Sequence, residues 1–229
     1  MKTKPLLGFA AGLLLFAGTI QADTNYTYNM AVNQAIPDAN ATGFSLATNL
    51  TGLIGTITNV NVSLNISGGF NGDLYAYLVA PSGGFAVLLN RVGVTNGNSF
   101  GYSDAGFNIT LDDSGSNPYI HYYQSGSYRL NGGGQLTGTW SSDGQNVDPL
   151  SVAVGSAART ATLANLAGTD PNGQWVFFVA DLSGGGVSTI NNVVLSIVTV
   201  PEPALWPMAA AGLAGLMVAS KRVRKSSVR

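Results

Sequence analysis

The chain has 229 residues, a formal charge of −1, a single histidine and no cysteine. Without thiols it has no disulfide staples, no zinc–cysteine cluster and no cysteine-linked haem. Between residues 23 and 200 only Arg91, Arg129 and Arg159 face ten aspartates, so three minus ten leaves −7, with no lysine or glutamate there. Such an acidic surface argues against nucleic acid as a partner, because that affinity comes from neutralised phosphates.

The chain opens on Met1-Lys2-Thr3-Lys4, a basic patch, followed by an apolar run from Leu6 to Phe16 and by Ile20-Gln21-Ala22. A positive start, a short apolar stretch and a small residue at its end predict a secretory signal peptide over residues 1–22, a helix that is removed on export. A further 178 residues, 23–200, are enough for one domain with its own core. In an exported chain without cysteine, the stability of that domain rests on its core or on bound ions.

Strands are expected within residues 23–58, and from there the pattern sharpens. Val60, Val62, Leu64 and Ile66 alternate with Asn61, Ser63, Asn65 and Ser67, the period of two that marks a strand with one buried face. Leu74, Ala76 and Leu78 alternate with Tyr75, Tyr77 and Val79. Trp175, Phe177 and Val179 repeat the pattern, as do Val193, Leu195, Ile197 and Thr199. Between these runs lie Gly68-Gly69, Ser82-Gly83-Gly84, Asn96-Gly97-Asn98, Gly132-Gly133-Gly134 and Gly184-Gly185-Gly186. Such clusters make turns, because they supply positive φ or side chains that cap the backbone. No stretch of helical periodicity interrupts them. The pattern predicts an all-β fold, a two-sheet sandwich.

Ile66 to Leu74, with Asn71-Gly72-Asp73-Leu74, and then Tyr77-Leu78-Val79-Ala80-Pro81-Ser82-Gly83 resemble the Gly-Asp-Leu and Leu-x-x-Pro-x-Gly landmarks of the proprotein convertase P domain (P/Homo B). Leu89-Asn90-Arg91-Val92-Gly93, Phe107 with Thr110-Leu111-Asp112-Asp113, and Asn172-Gly173-Gln174-Trp175 through Asp181 continue the likeness in order. It covers about residues 59–198. The family's histidine is Gly68 here, and its last-strand tryptophan is replaced within residues 191–194. The resemblance implies a jelly-roll-like β-sandwich over residues 59–200. It also implies a companion role beside a subtilisin-like protease, and the calcium that bacterial P domains often hold.

A protease of its own is not expected. A catalytic triad needs a histidine to take and return the serine proton, and the only one is His121, within Pro118-Tyr119-Ile120-His121-Tyr122-Tyr123. Gly101-Tyr102-Ser103-Asp104-Ala105 and Gly43-Phe44-Ser45-Leu46-Ala47 approach a nucleophile elbow, but no helix follows either. Calcium is the expected chemistry instead. Asp112-Asp113-Ser114-Gly115-Ser116-Asn117 gathers hard oxygen donors in a loop, and Asp73, Asp104 and Asp181 complete the candidate ligands, Asp73 and Asp181 through the resemblance. Tyr119, Tyr122, Tyr123 and Trp140 form the candidate aromatic ligand surface. Six Asn-x-Ser/Thr sequons, at Asn25, Asn40, Asn49, Asn61, Asn65 and Asn108, follow from Asn/Thr-rich strand faces.

The chain closes on Pro201-Glu202-Pro203, an apolar segment over residues 204–220, and a basic tail over 221–229 with Lys221, Arg222, Arg224 and Lys225. The sixteen residues from 204 to 219 would span about 24 Å as a helix, a little short of a bilayer core, and the basic cluster would stay cytoplasmic. The segment resembles the PEP-CTERM sorting signal. That resemblance implies an exosortase as processing partner, an inner-membrane precursor and a final place at the cell surface, in the outer membrane or outside the cell. The expectation is an exported, non-catalytic module associated with exopolysaccharide; the alternatives are a carbohydrate-binding module and a protease partner.

Overall fold

The computed structural model describes residues 22–201 of the chain. The signal segment, Glu202, Pro203, the apolar segment 204–220 and the basic tail lie outside the described residues. Those that are described contain nine strands: β1 (Thr24–Ala35), β2 (Asn40–Leu50), β3 (Thr56–Gly68), β4 (Leu74–Val79), β5 (Phe85–Asn90), β6 (Gly106–Asp112), β7 (Leu136–Trp140), β8 (Gly173–Asp181) and β9 (Ser188–Val200). They pair into one sheet in the order β1-β9-β3-β6-β7 and a second in the order β2-β8-β4-β5. Among the described residues, helix is confined to short 3-10 turns at Asn71–Asp73, Ile120–Ser125 and Leu163–Leu166.

The alternation expected from the sequence sets the core. Val60, Val62, Leu64 and Ile66 of β3 are buried, as are Leu74, Ala76 and Leu78 of β4, Trp175, Phe177 and Val179 of β8, and Val193, Leu195 and Ile197 of β9. These inner faces belong to both sheets and make one apolar cluster. Each fully buried aliphatic side chain contributes roughly 1.5–3 kcal/mol by leaving water. The Trp175 indole donates its Nε1 proton to the Pro171 carbonyl at 2.9 Å, so its one polar group is satisfied inside. On the outer face of the second sheet, Tyr77 stacks on Phe178 at 4.7 Å across neighbouring strands.

The first two strands complete the two sheets. Thr24 opposes Thr199 as β1 runs antiparallel to β9, and Leu50 opposes Gly173 as β2 runs antiparallel to β8. Tyr26, Tyr28, Met30, Val32, Phe44 and Leu46 pack partly buried against the core from these edges.

One pairing is parallel, that of β6 with β7. Parallel neighbours need a crossover, and here it spans residues 113–135. It carries the Ile120–Ser125 turn, whose Ile120, His121 and Tyr123 point inward. Several strand ends meet at one end of the sandwich: Gly68 pairs with Ser188, Leu74 with Asp181, Tyr75 with Asn90 and Ser67 with Gly106.

Candidate functional site

At that end of the sandwich lies a cleft of about 440 Å³, lined by Phe70, Asp73, Phe100, Gly101, Tyr102, Ser103, Ser183 and Gly184. Three loops build it: the β3–β4 turn, the loop leading into β6, and the β8–β9 turn. Gly72 and Gly101 let the first two loops close on each other. A Cβ on Gly72 would lie 2.2 Å from the Phe100 carbonyl oxygen, and one on Gly101 would lie 2.8 Å from the Gly72 Cα. Gly101 also sits at φ +72°, where side chains are strained. Backbone bonds fix the approach: the Gly72 N–H donates to the Tyr102 carbonyl at 2.8 Å, and the Tyr102 N–H donates to that of Val92 at 3.0 Å.

This contact leaves two phenylalanines at the mouth. Phe100 is 79% exposed and Phe70 is 40% exposed. Tyr102 forms a wall, its ring held edge-on against buried Tyr123 at 4.6 Å.

The floor is charged. Asp73 is nearly buried, and Nη2 of Arg91 lies 4.0 Å from its Oδ1. Arg91 is anchored elsewhere: Nε donates to the Gly72 carbonyl at 3.1 Å, and Nη2 donates to the Ser99 carbonyl at 3.3 Å and to Ser183 Oγ at 3.1 Å. Arg91 has a φ of 49°, a left-handed conformation rare for a residue with a side chain. Burial pushes the Asp73 carboxyl above the usual range, an effect that Arg91 partly offsets. Asp181 is pushed up to about 6, first by burial and then by the neighbouring charges of Asp73 and Asp38. Its Oδ2 accepts from Ser188 Oγ at 3.3 Å.

The five aspartates expected to bind calcium fall in three places. Asp73 and Asp181 share the corner just described, where the Arg91 guanidinium already stands. Asp104 Oδ2 accepts from Tyr123 Oη at 2.8 Å and from Gln124 Nε2 at 2.7 Å. Asp112 Oδ1 accepts from the Ser114 N–H at 2.8 Å, while Asp113 is a clasp. It accepts from the Ser142 N–H at 2.8 Å, from Ser142 Oγ at 2.5 Å and from the Leu163 N–H at 2.7 Å. Asp112 and Asp113 are successive on a strand end and serve different neighbours. Among the described residues, no three acidic or histidine side chains are grouped to hold a metal ion.

The aromatic surface expected from Tyr119, Tyr122, Tyr123 and Trp140 is corrected by the fold. Tyr123 is 1% exposed and Trp140 is 5% exposed, so neither offers a free ring face. The Ile120–Ser125 turn rolls Tyr123 into the core, where its hydroxyl also accepts from Asn71 Nδ2 at 3.1 Å. Tyr119 and Tyr122 pack around His121, and the Tyr122 hydroxyl donates to the Gly155 carbonyl.

His121 is completely buried, with Nδ1 2.8 Å from Asp143 Oδ2 and Nε2 2.9 Å from the Val94 carbonyl oxygen. A carbonyl can only accept, so Nε2 carries a proton and has no lone pair free for a hydroxyl. Asp143 was not singled out in the sequence. It accepts from the Asn90 N–H at 3.2 Å as well.

The sequence points to Asp73 as a calcium ligand and sets Gly101-Tyr102-Ser103 aside as a failed nucleophile elbow, but gives no role to Phe70, Phe100 or Ser183. One signal was available: Phe70 and Phe100 each lie inside a turn sequence, between Gly69 and Asn71-Gly72 and between Ser99 and Gly101. A large apolar residue in such a place has no strand face to occupy.

No protein-family model matches the chain, and no curated protein matches it. Among solved structures it is similar to the serine protease of Aeromonas sobria, alone and in complex with its chaperone. In both cases identity is 15%, the TM-score is 0.44, and the match covers 79% of this chain but 28% of that one. The chain therefore spans little more than a quarter of the protease's length, and the protease's activity does not carry over at this level of likeness.

Proposed function

We propose that this chain is an exported, non-catalytic β-sandwich module that an exosortase system delivers to the cell surface or extracellular matrix, where it works by binding. The observation that carries the binding role is the corner cleft. It is assembled by three loops on a rigid two-sheet scaffold, with aromatic rings at its mouth and a carboxylate in its floor, the usual make-up of a ligand site. The only imidazole has both ring nitrogens engaged, which agrees with a role other than proton transfer.

Sorting is supported by sequence: a signal segment at residues 1–22, and Pro201-Glu202-Pro203 ahead of an apolar run and a basic stop. Strand β9 ends at Val200, so the motif begins at the first residue beyond the sandwich. The test is fractionation of an exosortase-bearing host against its exosortase deletion. The expected result is protein trimmed near Pro203 at the surface or in the medium, and untrimmed inner-membrane protein in the deletion. The same inner-membrane form in both hosts would overturn the sorting role.

A partner role beside a subtilisin-like protease is the second reading, favoured by the P-domain-like landmarks around Asp73-Leu74 and Trp175.

A further inference from the structure

We infer that the corner cleft binds an organic cation, the ammonium or guanidinium end of a lysine or arginine side chain on a partner polypeptide. The inference rests on the binding-module reading and names the ligand class of the same cleft.

Charge is the first ground. Asp73 lines the cleft, and Asp181 and Asp38 stand close enough to act on it and on each other. One guanidinium, Arg91, answers these three carboxylates, so the corner carries a formal −2. Arg91 cannot move to balance them, because its protons go to the Gly72 and Ser99 carbonyls and to Ser183 Oγ. The carboxyls of Asp73 and Asp181 are raised chiefly by burial, and the neighbouring carboxylates add a smaller push in the same direction. A second cation entering the cleft would relieve this repulsion, whereas an anion would add to it.

Hydrogen-bonding character is the second ground. The polar side chains lining the cleft are a carboxylate and the hydroxyls of Tyr102, Ser103 and Ser183. No amide or guanidinium side chain lines it. A carboxylate only accepts, and a hydroxyl can accept, so the set suits a ligand rich in donors. Lysine and arginine ends are donors only. A sugar hydroxyl brings a single proton to the carboxylate, whereas an ammonium brings three and a guanidinium five, with a full positive charge.

The third ground is the rings. Phe100 and Phe70 are far more exposed than the core requires, and Tyr102 stands with them. The face of an aromatic ring attracts a cation, while the ring edges shelter an alkyl stem. A small hydrated metal ion would use the carboxylates but gain little from the rings, and Arg91 already stands beside Asp73. The mature region's −7 would also draw a basic partner from a distance.

The experiment titrates the full chain, purified in neutral detergent, with three blocked amino acids: Nα-acetyl-lysine N-methylamide, its arginine counterpart and its norleucine counterpart. Binding is followed by ligand-detected NMR, with calcium chloride as a separate arm. The expected result is that the lysine and arginine probes bind roughly tenfold more tightly than norleucine, and that Phe100→Ala and Asp73→Asn each weaken them about fivefold or more. Phe100 is a mouth residue, so its variant remains informative if Asp73→Asn does not fold. Equal binding of norleucine, or a response to calcium alone, would overturn the cation assignment. Lysine binding unchanged by Phe100→Ala would overturn the placement in this cleft. The sorting experiment reads none of these quantities, so either idea can fail without the other.

Discussion

His121 and Asp143 face each other across 2.8 Å with both side chains fully buried. Each holds a different part of the fold. His121 pins the crossover turn to the Val94 carbonyl, and Asp143 accepts from the Asn90 N–H at the end of β5.

Removing one member leaves the other buried without its partner. His121→Ala is expected to cost about 3–5 kcal/mol of stability, read as a drop in the urea midpoint with the slope unchanged. The double variant His121→Ala with Asp143→Ala is expected to cost less than the sum of the singles. Additive losses would show that the two side chains do not act as a pair.

Asp113 is expected to behave as a clasp. Its side chain is 6% exposed and receives two backbone N–H groups and the Ser142 hydroxyl. Asp113→Ala should cost roughly 2–4 kcal/mol, because buried donors are left unmatched. Urea unfolding of the variant checks this.

Acidity gives a prediction with a definite sign. The folded Asp181 carboxyl lies at about 6, above the usual ~3.9 of an unfolded aspartate. The folded state therefore holds a proton that the unfolded state has lost, and stability falls as pH rises from about 4 through 6. The raised Asp73 carboxyl acts in the same direction. Two pK units correspond to under ~3 kcal/mol, less whatever solvent screens at this cleft-side corner. Asp181→Asn should flatten that fall and raise the melting temperature at pH 8. A melting profile against pH that is identical in the variant would contradict the assignment.

A paired substitution probes how the cleft is assembled. Gly101 and Gly52 both have positive φ, but a Cβ on Gly101 would strike the Val92 carbonyl oxygen at 2.5 Å, whereas one on Gly52 meets nothing within 4 Å. Gly52→Ala should cost only the conformational strain, about 1 kcal/mol. Gly101→Ala should cost at least ~2 kcal/mol more, by pushing its loop off Gly72. Thermal melts of the two variants side by side give the difference.

The strands were legible because burial writes a period of two into the chain, as from Val60 to Ile66. The cleft was not legible because it joins residues about thirty and about a hundred and ten positions apart, Phe70 with Phe100 and Asp73 with Ser183, whose meeting depends on which strand ends fall together. Local composition misled at Asp112-Asp113, where adjacent carboxylates look like a metal loop yet leave a strand end toward separate partners. It misled again at Tyr119 to Tyr123, where an aromatic run that resembles a surface turns inward around one buried imidazole.

The position of β9 has a mechanical consequence. The cleft loop around Ser183 and Gly184 leads into this strand at Ser188, and the chain leaves it at Val200 for Pro201. A partner gripped in the cleft and a tether beyond Pro201 would thus pull at opposite ends of one strand, about 40 Å long at roughly 3.3 Å per residue. β9 is flanked by β1 on one side and β3 on the other. Tension along it would shear both ladders at once instead of opening them rung by rung, so the strand that joins the cleft loop to Pro201 is well placed to carry load.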